Sequence, residues 1–395
     1  MGFSKKVSSL KESATLQAAA KAKALKDQGV KVLNLSIGEP DFSTPKSIQN
    51  AAIKAIDNGA SSFYTPATGL PELKQAIIDR TREDYGVTYQ MNEVFVGSGA
   101  KFVLYALFQT LLNPGDEVII PTPYWVSYSA QVELADGTPV FVETTQDNHY
   151  RVTVEELEQA RTLKTQAIIL NSPSNPTGSI YTAEELKKIG EWAASNNIYI
   201  IADDIYAKLV YNGNVFTSIV SLSDEIKQQT IVVNGVSKTY SMTGWRIGYA
   251  LCQPEIVSQV SKVMSQSTGN PAAVSQYAAI EALSGSQAIV EEMRQTFETR
   301  LNDIFPIVQE IPGVRVEKPQ GAFYLYLDIK ETLDMCGYDN VTNWVNDLLE
   351  EAHVAVVTGE AFGTSHHVRM SYATDMDTLT QAIRQINEFI DSKRI

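Results

Sequence analysis

Lys238 stands in the stretch Val233-Asn-Gly-Val-Ser-Lys-Thr-Tyr-Ser-Met-Thr-Gly-Trp-Arg-Ile-Gly-Tyr249. An amine there could form a Schiff base with an aldehyde. Ser237 beside it, and Arg246 eight residues on, could hold a phosphate. An aldehyde and a phosphate on one small molecule describe pyridoxal 5′-phosphate. Most loop lysines are simply solvated, so the reading depends on whether other segments supply the remaining parts.

Several segments could. In Val96-Gly-Ser-Gly-Ala-Lys-Phe102 an apolar run enters a small-residue turn and then a helical pattern, and helix N-terminal amides favour a phosphate. Gly97 and Gly99 suggest a dinucleotide fingerprint, but Phe102 stands where its third glycine belongs, and no Walker-type sequence occurs. A tight structural turn is the alternative. Asp203 and Tyr206 follow the apolar run Tyr199 to Ala202, and ligands bind beyond the carboxyl ends of strands in an α/β sheet. Asp203 could pair with a protonated pyridine nitrogen, raising its pKa and keeping the ring an electron sink. Tyr206 could hydrogen-bond the ring's phenolic oxygen. Alternatively Asp203 and Asp204 cap a following helix. The loop Asn171-Ser-Pro-Ser-Asn-Pro-Thr-Gly178 is forced into an extended, turn-rich path by two Xaa-Pro steps and presents Asn175. Trp125 offers a flat face for stacking, or fills a core. Arg369 interrupts an apolar strand pattern. A buried arginine needs a partner, either a substrate carboxylate held bidentately or a structural acid. His149, His353, His366 and His367 show no metal-ligand spacing with carboxylates or cysteines, and no Gly-x-Ser-x-Gly elbow occurs.

The elements that must position these residues follow from the apolar patterning. The runs 93–97, 117–121, 139–143, 166–170, 199–203, 230–233 and 247–252 read as buried strands. Helical patterns at 101–112, 125–134, 154–160 and 183–195 alternate with them, the last opened by a Thr182–Glu185 capping-box spacing. This alternation predicts an α/β fold with a mostly parallel central sheet between helices. After a long helix over 288–309, strand patterns at 314–316, 323–327, 355–357 and 368–372 with helices near 342–351 and 377–391 predict a smaller α+β domain. A helix over 18–28 leads into a strand-like run at 32–37. The expected division is an N-terminal segment 1–45 packing on the small domain, a large cofactor domain 46–290 and a small domain 291–395.

A chain of 395 residues with 44% hydrophobic and 20% charged residues has the composition of a globular protein of two domains. The formal charge of −14 disfavours nucleic acid and anionic membranes as partners, and means that an anionic substrate needs a local cluster of cations. Two cysteines, Cys252 and Cys336, offer no disulfide framework, and neither a signal-peptide pattern nor a transmembrane run is present. A cytoplasmic location is expected.

Together these segments resemble the class I aminotransferases, pyridoxal-phosphate enzymes of fold type I. The resemblance rests on Gly38-Glu-Pro-Asp41, Tyr64-Thr-Pro-Ala-Thr-Gly-Leu-Pro71, Pro123-Tyr-Trp125, 171–178, 203–206, 237–248 and 369–372, and covers nearly the whole chain. It implies that Lys238 carries the Schiff base, that Asp203 faces the pyridine nitrogen, and that Tyr206 and Asn175 face the phenolic oxygen. Trp125 would stack on the ring, while Ser237, Arg246 and the Ser98-Gly99-Ala100 turn would hold the phosphate. Tyr64 would reach the phosphate of a partner subunit in a homodimer with shared sites. Arg369, with Asn175 and the Gly38 backbone, would clamp the substrate α-carboxylate. Asp204 departs from the glutamate common at that position. Lys11-Glu-Ser-Ala-Thr15, Gly99-Ala-Lys101 and Met264-Ser-Gln-Ser-Thr268 are similar to the bacterial aspartate aminotransferases of the thermophile-like subgroup. There Ser13, Thr15 and Lys101 would read the distal carboxylate; Lys11 matches a position associated with prephenate, but reads first as an exposed helix-flanking lysine. The implied reaction moves an amino group from L-aspartate to 2-oxoglutarate. The alternatives are the same chemistry on aromatic, alanine-type, branched or prephenate substrates, a carbon–sulfur lyase, and a non-catalytic regulator on the same scaffold.

Overall fold

The computed structural model describes residues 2–8, 10 and 14–395, without the side chains of 14–16. Among these the strands are, in chain order, β1 Leu33–Asn34, β2 Val94–Gly97, β3 Glu117–Thr122, β4 Thr138–Glu143, β5 Thr165–Asn171, β6 Tyr199–Asp203, β7 Thr230–Gly235, β8 Gly248–Leu251, β9 Arg315–Val316, β10 Tyr324–Asp328, β11 Val354–Ala355, β12 Val357–Thr358 and β13 His367–Ser371.

Seven strands form one sheet in the order β2-β8-β7-β6-β5-β3-β4. The pairs from β4 through β3, β5 and β6 to β7 are parallel, and β8 runs antiparallel to both β7 and β2. The continuous apolar runs have a direct cause, because helices cover both faces. Val96, Ile119, Ile168 and Ile200 join one core, while Phe95, Val118, Ile169 and Ile201 join the other. The Ala183–Ser195 helix starts at the expected capping box. The Thr182 side chain accepts from the Glu185 amide, and Glu185 accepts from the Thr182 amide at 2.8 Å. No helix follows Asp203 and Asp204, so they do not act as helix caps; the chain turns there instead.

The C-terminal part holds the four-stranded sheet β12-β13-β10-β9, antiparallel throughout, over a core that includes Phe297, Phe323, Trp344 and Ile383. The strand expected at 355–357 is divided between two sheets. β11 pairs with β1 in a separate parallel pair, and β12 pairs with β13. The run at 32–37 forms only the short β1, yet Leu33 and Leu35 belong to the C-terminal core. The helices Lys46–Asp57, Pro71–Tyr85, Pro254–Ser265 and Ala273–Ser284 complete the large layer. The last of these buries even Gln276, so it shows no single apolar stripe. No helix among the described residues is long and apolar enough to cross a membrane.

Candidate active site

Parallel β5, β6 and β7 end along one edge of the large sheet, which delivers Asn171, Asp203 and the loop after Gly235 to the same place. Because β8 is antiparallel, it begins at that edge, with Gly248 opposite both Gly97 and Gly235. Arg246, just ahead of β8, therefore meets the Ser98–Ala100 turn after β2. The approach is close enough to require glycine. A Cβ on Gly99, whose φ is +90°, would lie 2.3 Å from the Arg246 guanidinium, and one on Gly248 would lie 2.2 Å from the Ala100 nitrogen. Arg246 Nη1 donates to the Thr243 carbonyl oxygen at 2.9 Å and Nη2 to that of Ser98 at 3.4 Å. The Ala100–Leu111 helix starts here with no side-chain cap, so its first amides and the positive end of its dipole face an anion site.

A cavity of about 310 Å³ opens at this edge. Of the residues expected from the sequence, Gly38, Ala100, Lys101, Trp125, Asn175, Asp203, Tyr206, Ser237, Lys238, Arg246 and Arg369 line it. Ser98 and Gly99 lie immediately behind Arg246. Tyr64 is not among the lining residues and is 98% exposed on the surface of the single chain. Ser13, like Lys11, lies outside the described residues, as does the side chain of Thr15.

Lys238 Nζ donates to the Gly38 carbonyl oxygen. Burial, and then the positive charge of Arg369 nearby, pull the lysine pKa down to about 8. Asp203 is buried at the cavity floor. The Tyr128 hydroxyl donates to Oδ2 at 2.6 Å and the Ile205 amide to Oδ1 at 3.3 Å. Burial still pushes the carboxyl up to about 6, with those hydrogen bonds and Lys238 opposing. Behind it, Asp204 is also buried, accepts from Ser218 Oγ at 3.0 Å, and is pushed up to about 8 by desolvation. Trp125 is a half-buried wall rather than core, edge-on to Tyr128, with Lys101 Nζ 5.1 Å from its ring centroid. The Lys101 pKa is lowered by partial burial and by Arg246.

Arg369 enters from β13. It is 2% exposed and makes no ion pair with Asp or Glu among the described residues. Nη1 donates to Asn175 Oδ1 at 3.0 Å and Nη2 to the Ser36 carbonyl oxygen at 2.8 Å, while Nε has no partner. The rings of Tyr324 and Phe362 lie 4.3 and 5.1 Å from the guanidinium carbon. No acid among the described residues is thus its counterion.

Three contributors were not singled out from the sequence. Tyr128 holds Asp203. Asn171 donates to the Asp203 carbonyl oxygen at 2.9 Å and accepts from the Asn175 amide at 2.8 Å, bracing that loop. Tyr324 meets the Tyr206 hydroxyl at 2.8 Å and underlies Arg369. Tyr128 follows Trp125 in a segment already conspicuous for its aromatics. Tyr324 carries no such signal, since a tyrosine in an apolar strand reads as core.

An amine of lowered pKa, a buried carboxylate, a flat ring face, an anion cradle and an unpaired guanidinium therefore surround one small cavity. Comparison with known proteins agrees with this chemistry. The family described as Aminotransferase class I and II matches residues 30–386. The chain is 56% identical over 389 residues to the asparagine–oxo-acid transaminase of Streptococcus mutans, covering 98% of this chain and 99% of that protein. It is 52% identical to the aspartate aminotransferase of Geobacillus stearothermophilus, with both chains covered in full. Among solved structures, the aspartate aminotransferase from Thermus thermophilus with maleate superposes with a TM-score of 0.93 at 38% identity, over 98% of this chain and 99% of that one.

Proposed function

The chain belongs to the class I and II aminotransferases, and from that premise we propose that it is an aspartate aminotransferase using pyridoxal 5′-phosphate. It moves the amino group of L-aspartate to 2-oxoglutarate in two half-reactions, giving oxaloacetate and L-glutamate. Three observations support a fit for the cofactor. The buried Asp203 carboxylate has only neutral hydrogen-bond donors and suits a pyridinium nitrogen. The glycine-lined approach of Arg246 to the Ser98–Ala100 turn suits a phosphate. The half-buried Trp125 face suits a ring.

When bound, the cofactor supplies a carbonyl carbon that condenses with amines and a ring that absorbs the electrons left when the substrate Cα loses its proton. The chain does the rest. Ser237, Arg246 and the first amides of the Ala100–Leu111 helix hold the phosphate. Asp203 keeps the ring nitrogen protonated, with Tyr128 fixing its carboxylate. Tyr206 and Asn175 donate toward the phenolic oxygen. Arg369 takes the substrate α-carboxylate and so fixes Cα beside Lys238. The lowered pKa of Lys238 leaves a useful fraction of neutral amine near neutral pH. Its Nζ then takes the α-proton as base and returns it as acid. Lys101, with Ser13 and Thr15, receives the distal carboxylate. The exposed Tyr64 fits a homodimer in which each copy completes the other's phosphate site. We place it in the cytoplasm and divide the chain into an N-terminal segment 1–45, a large domain 46–290 and a small domain 291–395.

The observation that carries this reading is Arg369, a buried arginine with no acidic partner among the described residues, lining a cavity that also holds Lys238 and Asp203. The test mixes the yellow holoenzyme with one amino acid at a time and follows its visible absorption. L-Aspartate and L-glutamate should discharge the colour, and alanine and phenylalanine should do so far more slowly. Equal response to all four would remove the dicarboxylate assignment. The similarity to an asparagine–oxo-acid transaminase supports a second reading in which the side-chain amide is the preferred donor. Faster discharge by L-asparagine than by L-aspartate would select it.

A further inference from the structure

A second cavity, about 730 Å³, lies between the 143–150 segment and the small sheet. Along the chain the histidines at 366 and 367 have no carboxylate neighbour at ligand spacing. The antiparallel pairing of β10 with β13 supplies one, because it sets Asp328 opposite His367. One ligand atom from each of Asp328, His366 and His367 lies within 4.8 Å of the other two, and His366 Nε2 is 3.8 Å from Asp328 Oδ1.

The environment points to a cation. His367 is 7% exposed, its Nε2 is bonded to the Tyr150 hydroxyl at 3.1 Å, and its Nδ1 is buried with no hydrogen-bond partner among the described residues. A buried polar atom left open in this way is unusual and calls for an occupant. Glu143, Asp147 and Glu317 line the same cavity together with His149 and Arg315, and Glu317 meets His149 Nδ1 at 3.0 Å. Arg315 Nη2 pairs with Asp328 Oδ2 at 2.5 Å from a side chain that is 71% exposed, so an ion that binds here has to compete with an arginine at the solvent edge. Asp328 Oδ1, on the histidine side, accepts only a backbone amide, that of Lys330, at 3.0 Å.

The geometry points to a binding site for one divalent transition-metal ion of the zinc type, held by Asp328, His366 and His367 with a fourth position open to water from the cavity. Two imidazoles and one carboxylate suit such an ion, whereas calcium and magnesium ask for more oxygen ligands. Bonds of about 2.0–2.2 Å to a tetrahedral ion would draw the ligand atoms to roughly 3.4 Å apart. Rotation of the half-exposed His366 ring can supply much of that contraction. The site neighbours the reaction without joining it. Tyr326 stacks on His367 at 4.7 Å and pairs across the ladder with Arg369. The ion would therefore brace the strand that carries the carboxylate-binding arginine.

The test uses the holoenzyme, freed of adventitious metal with a chelator and titrated with Zn²⁺ by calorimetry and with Co²⁺ by visible absorption. The expected result is one equivalent per chain with the intense bands of tetrahedral Co²⁺. His366→Ala and Asp328→Asn should each weaken Zn²⁺ binding about 100-fold or more, since direct ligands outweigh the supporting residues whose loss costs 10–100-fold. Metal-free His366→Ala should keep its transamination rate, which shows that the fold is intact even if Asp328→Asn does not fold. Absence of stoichiometric binding, or unchanged binding in His366→Ala, would overturn the proposal.

Discussion

The two walls of the active-site cavity handle charge differently. On the large-sheet wall, Asp203 is held by Tyr128 and Ile205, and Arg246 is tied to the carbonyl oxygens of Thr243 and Ser98. On the small-sheet wall, Arg369 is as deeply buried as Asp203 and, like it, has only neutral partners among the described residues, but its Nε is left open. Removing a guanidinium from water without a counterion is costly. The first arrangement is fixed in position and suits a ligand retained between turnovers. The second stays incomplete until a carboxylate arrives, and suits a ligand that comes and goes. Lys238 sits between the walls, within the fields of both Arg369 and Asp203.

The largest effect should come from that middle position. Lys238→Ala removes both the condensing amine and the proton carrier, and turnover should fall at least about 10⁴-fold. Activity near that of the parent would end the assignment of both walls. Arg369→Ala comes next. Losing two charge-assisted hydrogen bonds to a carboxylate should lower kcat/KM for every amino acid by about 10²–10⁴-fold. Cofactor retention through gel filtration should be unchanged in this variant and lost in Asp203→Ala. If Arg369→Ala released the cofactor as readily, the division between permanent and transient ligands would fail.

Much of both walls was legible because their charged residues are anomalies in the local pattern. Asp203 ends a run of apolar residues, Lys238 and Arg246 lie in a small-residue loop after another, and Arg369 interrupts a third. Strands buried on both faces also make long apolar runs, so the central sheet could be placed from β2 to β8 with errors of one or two residues. The supporting residues were not legible. Tyr324 looks like core, and its role depends on the antiparallel placement of β10 against β13. The Ala273–Ser284 helix, buried on nearly every side, has no stripe to reveal it. The division of 354–358 between two sheets depends on pairing with β1, more than 300 residues away. The Asp328, His366 and His367 cluster was hidden for the same reason, since chain spacing carries no information about the neighbouring strand.

The walls should also differ in their response to pH. Asp203 has its carboxyl raised to about 6 in the fold, against about 3.9 in an unfolded chain. Between those values the folded protein binds more protons than the unfolded one, so this group lowers stability as pH rises through the window. The loss is about 2–3 kcal/mol in the cofactor-free protein, complete above pH 6. Asp203→Asn should remove that part of the pH dependence and stabilise the cofactor-free form above pH 6, while abolishing useful turnover. Denaturant titrations at pH 4.5 and 7.5 would measure it. An unchanged pH dependence would mean that Asp203 is not desolvated as the fold implies. Arg369 offers no such window, because an arginine stays charged throughout this range.

The smallest effect should come from Lys101, which lines the cavity from the first turn of the Ala100–Leu111 helix. Its side chain is only partly withdrawn from water, and its ammonium lies over Trp125. A carboxylate met there remains partly solvated, and exposed ion pairs contribute up to about 1 kcal/mol. Lys101→Ala should therefore raise KM for aspartate only about 3–5-fold, and leave alanine kinetics unchanged. The difference between substrates is the informative part, because a general distortion of the Trp125 wall would slow both. Salt provides the second arm. Screening of an exposed pair should shrink the Lys101 effect as ionic strength rises toward 1 M, while the buried Arg369 contribution persists. An aspartate-specific loss that ignored salt would move the distal carboxylate away from Lys101 and deeper into the cavity.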